Sequence, residues 1–110
     1  MQVTIEALEN YLQNHYGSWA TEQSLFMKLV EEMGEVAEIL NKRSGRKAAD
    51  GTDLNAELGK ELADMIHYIV AIAALNGIDL SRIMIEKDAK ASVKYNHKIN
   101  LEQFLRNREA

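Results

Sequence analysis

The stretch LVEEMGEVAEIL at residues 29–40, together with NAELGKELADMIHYIVAIAAL at residues 55–75, decides the fold. Both stretches repeat apolar residues every three or four positions, as amphipathic α-helices do. The first continues a wide apolar stripe that starts at Leu25, which predicts burial on more than one side, and the second is apolar almost all round from Leu62 onward. We expect the second helix to lie at the centre of a helical bundle or at a subunit interface.

Helices are predicted along the rest of the chain as well, because proline is absent and only 6 glycines interrupt it. The two-residue alternation that marks strands is not sustained anywhere. Small polar residues and glycines over 44–55 indicate a surface loop. The predicted fold class is all-α, a four-helix bundle. The helices are predicted over about residues 3–15, over 21–43, from 53 or 55 to 76, and from just after Asp79-Leu80-Ser81 to about 95, with a short terminal helix over 101–108.

Length and composition indicate one small globular domain. The chain has 110 residues, which fits a single domain over 1–110 with a modest core. A helical layer of this size often completes its core by oligomerising, so we expect a homodimer or a homotetramer. The hydrophobic fraction of 46% and the charged fraction of 27% are typical of a soluble folded protein.

Charge and cysteine content narrow the partners and the chemistry. The formal net charge is −4 and no basic stripe precedes the last third, which argues against a nucleic acid polymer as partner. Without cysteine, thiolate catalysis and cysteine zinc sites are excluded. The first residues lack the basic region of a signal peptide, and the apolar run Leu62–Leu75 is shorter than the ~20 residues of a membrane span. We therefore expect a cytoplasmic protein that does not associate with membranes.

Acidic side chains on the two central stretches form the candidate site. Glu32 with Glu35, and Glu61 with Asp64, are three positions apart, so each pair shares one face of its helix. Asp64 also interrupts the apolar run, where burial of a lone charge is costly unless a metal or a partner compensates it. Two such pairs facing each other would hold a divalent cation.

The ligand type indicates the ion and the class of substrate. Carboxylate oxygens without thiolates select Mg²⁺, Mn²⁺ or Ca²⁺. Mg²⁺ usually combines a few carboxylates with substrate phosphates, so such a site commonly handles a phosphorylated substrate. Hydrolysis of a phosphoanhydride would use the metal to neutralise charge and to activate water. Lysines of the fourth helix would then meet the phosphates as point charges.

The order of these acids resembles that of a known family. Glu31-Glu32-Met33-Gly34-Glu35, followed by Glu61-Leu62-Ala63-Asp64, is similar to the EExxE and ExxD motifs of the MazG-like nucleoside triphosphate pyrophosphohydrolases, in the all-α NTP pyrophosphatase superfamily. The resemblance spans roughly residues 25–95. It implies that Mg²⁺, or Mn²⁺ in its place, is bound by Glu32, Glu35, Glu61 and Asp64, and that Glu31 supports the site or orients water.

The resemblance also implies a reaction and a set of substrate contacts. A nucleoside triphosphate would be cleaved between its α and β phosphates, giving a nucleoside monophosphate and pyrophosphate in housecleaning of the nucleotide pool. Similar proteins often carry Arg-Tyr-Pro near the end of the fourth helix, where this chain has Lys94-Tyr95-Asn96. Lys87 and Lys90 are further candidates for phosphate contact. Trp19 either stacks on a nucleobase or covers the end of the bundle, and the resemblance favours the nucleobase.

Two other functions stay open on the residues alone. Asp64-Met65-Ile66-His67 approximates the acid-x-x-His element of di-iron bundles, which would make the protein a carboxylate–histidine metalloprotein, although the sequence lacks a second copy. Otherwise His67 is a core residue. A non-catalytic helical interaction module would use the apolar stripes to bind a partner and would leave the acids on the surface.

Overall fold

A computed structural model of the chain describes residues 1–45 and 51–109. These residues contain no strand and form five helices, so the predicted all-α class is confirmed. In chain order they are α1 (Ile5–Tyr16), α2 (Glu22–Arg43), α3 (Leu54–Leu75), α4 (Leu80–Lys94) and α5 (Leu101–Glu109).

Side-chain caps set where the helices begin. Thr21 accepts a hydrogen bond from the Ser24 backbone N–H, and α2 therefore starts at the next residue, as the sequence predicts. Thr4 caps α1 in the same way, which moves its start two residues beyond the predicted one. Asp53 and Asp79 cap α3 and α4. All four caps supply an acceptor to backbone donors that have no partner within the helix.

The end of α3 also follows the sequence. Gly77 has a φ of +63°, a left-handed conformation that costs glycine little. The backbone N–H of Ile78 then donates to the Ala73 carbonyl oxygen at 2.9 Å, which satisfies an acceptor at the helix end. This turn ends α3 at Leu75, one residue before the predicted end of the helix.

The described residues divide into two compact units, one ending at Ile78 and the other beginning at Asp79. In the first unit α3 packs against both α2 and α1, and in the second α4 packs against α5. The prediction of one domain stays a prediction beside this division. The core of the first unit is formed by Leu12 and Tyr16 of α1, Leu25 and Ile39 of α2, and Val70, Ala71, Ala73 and Ala74 of α3.

The two central helices are only partly enclosed within the chain. We expected the α2 stripe to be buried on more than one side, yet Met33 and Leu40 are about half exposed, at 50% and 47%. On α3 the residues Leu62, Ile66 and Ile69 are exposed as well, so this helix is not buried all round. Each helix can turn only one side toward the small core of its unit, which leaves apolar side chains at the surface.

The predicted loop over 44–55 is described only at its ends. Ser44 and Gly45 follow α2, and residues 51–53 lead into α3, so Leu54 and Asn55 belong to the helix and not to the predicted loop. The rest of that loop prediction, over 46–50, lies outside the described residues. Within the described parts, no single helix is long and apolar enough to cross a membrane; α3 and α4 meet the length and composition requirements only when taken together across the break between them.

Candidate metal and substrate site

Three of the predicted metal ligands come together where α2 packs against α3. Glu32, Glu61 and Asp64 each offer one carboxylate oxygen, and these three oxygens lie within 4.8 Å of one another. Glu61 and Asp64 are one turn apart on α3, so they point the same way, and Glu32 reaches them from α2. We call these three residues the carboxylate cluster.

Two oxygens in the carboxylate cluster lack any hydrogen-bond donor from the protein. Glu32 Oε2 and Glu61 Oε2 are both buried and have no partner. Buried carboxylate oxygens are normally satisfied, because an unpaired acceptor loses its hydration without compensation. Ionised carboxylates can only accept hydrogen bonds, so they cannot satisfy one another. A proton or a cation must therefore lie beside these oxygens. Hard oxygen donors of this kind fit Mg²⁺, Mn²⁺ or Ca²⁺.

The raised pKa of Glu61 reflects the same lack of hydrogen-bond donors. The pKa of Glu61 is raised from 4.5 to about 8, first by hydrogen bonding of its protonated form to Glu32 and then to Glu35. Burial and repulsion from the charges of those two residues raise the pKa further. Without a cation, a proton on Glu61 therefore relieves the cluster at neutral pH.

Asp64 is in the cluster for a reason other than the one inferred from the sequence. We expected the apolar run to bury it, but its side chain is exposed. That expectation was wrong because Leu62 and Ile66 lie on nearly the opposite side of α3 from Asp64, so the apolar run does not enclose its side chain. Proximity to Glu32 and Glu61, rather than burial of a lone charge, connects Asp64 to a cation site.

Glu35 and Glu31, the other two acids predicted for the site, are not members of this cluster. Glu35 is exposed and lies close enough to Glu61 to raise its pKa, but it is not one of the three residues whose oxygens converge. Glu31 points to solvent and forms an ion pair with Lys28 at 3.4 Å. The structure thus groups three predicted ligands, leaves Glu35 beside them and turns Glu31 outward.

An open cleft of about 430 Å³ adjoins Glu35 and Glu61. Two lysines on its walls, Lys42 of α2 and Lys60 of α3, were not predicted as site residues. The signal was available, because Lys42 follows Glu35 by two helical turns and Lys60 precedes Asp64 by four positions, about one turn. We call this the lysine cleft; its full lining is Glu35, Glu38, Ile39, Lys42, Glu57, Lys60 and Glu61.

Trp19 lines a smaller pocket of about 210 Å³ beside α1 and α3. Its side chain is 67% exposed, its indole N–H donates to the His15 carbonyl oxygen, and its ring centroid is 5.4 Å from that of Tyr16. The sequence did not indicate that Tyr16 and Tyr68 border the same space. We call this the Trp19 pocket; it is lined by Tyr16, Trp19, Ala20, Ser24, Leu25, Lys28 and Tyr68.

The remaining predicted substrate residues belong to the second unit. Lys87, Lys90 and Lys94 are exposed and follow one another at intervals of three and four along α4, which places them on one side of the helix. Lys94 Nζ lies 5.3 Å from the centroid of the Tyr95 ring, and Tyr95 is exposed just after the helix. This side of α4 is therefore basic and ends in an aromatic ring.

Comparison with known proteins identifies the family of this chain. The sequence model of one protein family, the MazG nucleotide pyrophosphohydrolase domain, matches residues 20–99. This range includes the whole carboxylate cluster. The chain belongs to the MazG family. The resemblance predicted over residues 25–95 is thereby confirmed.

A solved structure of a second MazG protein supports the fold. The crystal structure of iMazG from Vibrio DAT 722 is similar to this MazG chain with a TM-score of 0.64 and 26% sequence identity, over 86% of this chain and 100% of that one. No curated protein sequence matches the chain. The all-α MazG fold is thus shared with a relative of modest sequence identity.

The carboxylate–histidine alternative finds no support in this MazG chain. His67 follows Asp64 by one turn, but its Nε2 lies 2.7 Å from the Tyr16 hydroxyl oxygen, which makes a hydrogen bond. In residues 1–45 and 51–109 the one group of potential metal ligands contains three carboxylates and no histidine. His67 is therefore engaged with α1 rather than with the cluster.

Proposed function

We propose that this MazG protein is a Mg²⁺-dependent nucleoside triphosphate pyrophosphohydrolase that cleaves between the α and β phosphates. The observation that carries the proposal is the convergence of Glu32, Glu61 and Asp64, two of whose buried oxygens have no donor. Membership of the MazG nucleotide pyrophosphohydrolase family supports the class of substrate. The choice of Mg²⁺, with Mn²⁺ as a substitute, follows from the hard oxygen ligands.

The proposed division of labour among the acids follows from their positions. Glu32, Glu61 and Asp64 hold the cation, and Glu35 joins them from the edge of the lysine cleft. When bound, Mg²⁺ neutralises phosphate charge and lowers the pKa of water. Glu31 is exposed to solvent next to Glu32, so it is our candidate for orienting the attacking water once it leaves Lys28.

The proposed reaction is a simple hydrolysis. Water adds to one of the two phosphorus atoms that flank the α–β bridging oxygen, and the bond from that phosphorus to the bridging oxygen breaks. The products are a nucleoside monophosphate and pyrophosphate, and the proton released by the water passes to a nearby carboxylate or to solvent. No redox partner or covalent intermediate is needed.

Lysines in two places are candidates for the phosphate chain. Lys42 and Lys60 line the cleft that also holds Glu35 and Glu61, which favours them for contact beside the reacting phosphates. Lys87, Lys90 and Lys94, with Tyr95, remain the contacts implied by the family resemblance. A point charge from either group would balance the negative phosphates.

We propose that the Trp19 pocket receives the nucleobase. It combines three aromatic rings, from Tyr16, Trp19 and Tyr68, with one cation, Lys28. Aromatic faces stack on bases with little regard to their identity, and stacking is worth about 1–3 kcal/mol per base. The exposed indole of Trp19 leaves a face open for this contact.

We further propose that the protein is a homodimer or homotetramer and acts in the cytoplasm, where nucleoside triphosphates are made and consumed. The oligomer is supported by two rows of exposed apolar residues on helices that pack side by side. These rows are Val30, Met33 and Leu40 on α2 and Leu62, Ile66 and Ile69 on α3. Apolar patches of this kind mark association surfaces.

Pyrophosphate release tests the proposed function directly. Purified protein is incubated with Mg²⁺ and a panel of nucleoside and deoxynucleoside triphosphates, and both products are identified. Glu61→Gln removes a ligand without changing shape, and Glu6→Gln, an exposed acid on α1, is the matched control. Release by wild type and the control but not by Glu61→Gln supports the proposal. No turnover of any nucleotide contradicts it.

A second candidate, the non-catalytic interaction module, is favoured by the same exposed apolar rows. In that case the acids are ordinary surface charges, and neither turnover nor Mg²⁺ binding is expected. The two candidates therefore differ in their response to Mg²⁺ alone.

A further inference from the structure

A hydrogen bond joins the C-terminal end of α1 to the middle of α3. The Tyr16 hydroxyl oxygen lies 2.7 Å from His67 Nε2, between residues that are 51 positions apart in the chain. The two rings meet edge to face with centroids 5.6 Å apart. Tyr16 is only 8% exposed, so its hydroxyl depends on this partner rather than on water.

Each end of this bond faces a different part of the proposed site. Tyr16 lines the Trp19 pocket, and its ring packs against that of Trp19. His67 is one turn beyond Asp64 and directly precedes Tyr68, another residue of the pocket. The bond therefore connects the wall of the pocket to the helix that carries two of the three clustered carboxylates.

We propose that Tyr16 and His67 are positioning residues that hold the Trp19 pocket in place beside α3, so that a bound nucleobase is placed correctly for the carboxylate cluster. This inference rests on the proposed function, since it takes the ligand to be a nucleotide. Neither side chain touches the reacting atoms in this account. Tyr16 acts through His67, and both act through the position of the pocket wall.

Loss of the bond has a specific expected consequence. Without it, the end of α1 and the Trp19 ring are free to move relative to α3. Binding of the nucleobase then has to order both, and the loss of conformational entropy weakens the affinity. The carboxylates keep their neighbours, so the chemical step keeps its rate. KM should therefore rise about fivefold, the effect of one hydrogen bond, while kcat stays within about twofold.

Trp19 is the single tryptophan of the chain and reports on the pocket directly. Nucleoside monophosphates with purine and pyrimidine bases are titrated into the full-length protein, and the fluorescence of Trp19 gives a dissociation constant that does not depend on turnover. Tyr16→Phe and His67→Leu should each weaken binding about fivefold, as expected for one hydrogen bond. Because both remove the same bond, the double variant should bind no more weakly than either single variant.

Two further variants separate this role from general damage. His67→Gln retains both a donor and an acceptor for the Tyr16 hydroxyl, so it can restore the bond in either direction and should bind close to wild type. Tyr11→Phe removes a hydroxyl from an exposed tyrosine on the same helix and should have no effect. Thermal unfolding of every variant verifies folding; if Tyr16→Phe does not fold, the contrast between His67→Gln and His67→Leu decides.

Unchanged binding in Tyr16→Phe, effects that add in the double variant, or no response of Trp19 to any nucleoside monophosphate would each overturn the inference. Pyrophosphate release by wild type tests the proposed function separately. If wild type hydrolyses nucleotides and the variants bind normally, only the positioning role fails. If the variants show coupled binding but wild type releases no pyrophosphate, the pocket stands and the proposed reaction fails.

Discussion

Glu32 on α2 and Glu61 on α3 face each other with one buried, unpartnered carboxylate oxygen each, and hydrogen bonding to Glu32 is the largest cause of the raised pKa of Glu61. Two carboxylates in this relation are stable together only when a proton or a cation lies between them. Whether this pair of carboxylates binds a proton or a cation determines how the stability of the protein and its metal affinity depend on pH.

Without metal, we expect the protein to lose stability as pH rises toward 8. The pKa of Glu61 is about 8 in the folded chain and 4.5 for a free side chain, so the folded state binds more protons between these values. This stabilising contribution is fully present below pH 4.5 and disappears as pH rises through about 8. Thermal unfolding in EDTA across this range measures it. Glu61→Gln should show a flatter profile; equal slopes for both proteins would contradict the prediction.

Mg²⁺ should stabilise the protein, and more strongly at higher pH. Metal binding requires ionised Glu61, so the cation displaces a proton and its affinity increases as pH approaches 8. A ligand at 100 times its Kd adds about 2.7 kcal/mol to the free energy of unfolding. Differential scanning fluorimetry with and without Mg²⁺ at pH 6 and pH 8 checks both the size and the trend. An unfolding temperature that does not change when Mg²⁺ is added would favour the interaction module.

Neutral replacements in the cluster should separate activity from stability. Glu61→Gln and Asp64→Asn keep the shape but remove a charged ligand, so we expect kcat to fall about 100-fold or more, beyond the 10–100-fold typical of residues that only support ligands. Since either change relieves repulsion, the metal-free unfolding temperature at pH 8 should not fall. Steady-state kinetics and EDTA melts measure the two effects on the same samples. Glu6→Gln should alter neither.

The effect of lysine replacements on KM distinguishes the two groups of lysines that are candidates for phosphate contact. If Lys60 meets the phosphates from the lysine cleft, Lys60→Gln should raise KM about tenfold or more, since hydrogen bonds to charged groups contribute about 1.5–3 kcal/mol. Lys94→Gln on α4 is the matched replacement in the other group. Kinetics with one nucleotide over a range of salt compares them. A KM that rises only for Lys94→Gln would move the phosphate contact to α4.

Local features of this structure follow closely from the sequence. The Thr21 cap and the Gly77 stop depend on neighbours within five residues, so they were predictable without knowing the tertiary structure. The spacing of Glu61 and Asp64 likewise puts them on one face of a helix in any fold. The family resemblance then paired them with Glu32, which spacing alone could only suggest.

Features that depend on tertiary structure were missed or misjudged. Nothing in the sequence indicates that Tyr16 meets His67, because 51 residues separate them. Asp64 was expected to be buried because its sequence neighbours are apolar, whereas helix packing decides which side of α3 is enclosed. Lys60 was overlooked because a lysine beside an acid on a helix usually marks a solvated face.

The exposed apolar rows give the last prediction, on assembly. Ile66 on α3 and Met33 on α2 are each 50% exposed, and apolar side chains at a subunit interface lose their water when copies associate. If these rows form that interface, Ile66→Glu and Met33→Glu should shift the protein from dimer or tetramer to monomer, because each would bury an unpaired charge. Val93→Glu, at an 84% exposed apolar position on α4, is the control. Sedimentation velocity over a range of concentrations measures the change. A wild type that sediments as a monomer at every concentration would contradict the prediction, as would charged variants that assemble normally.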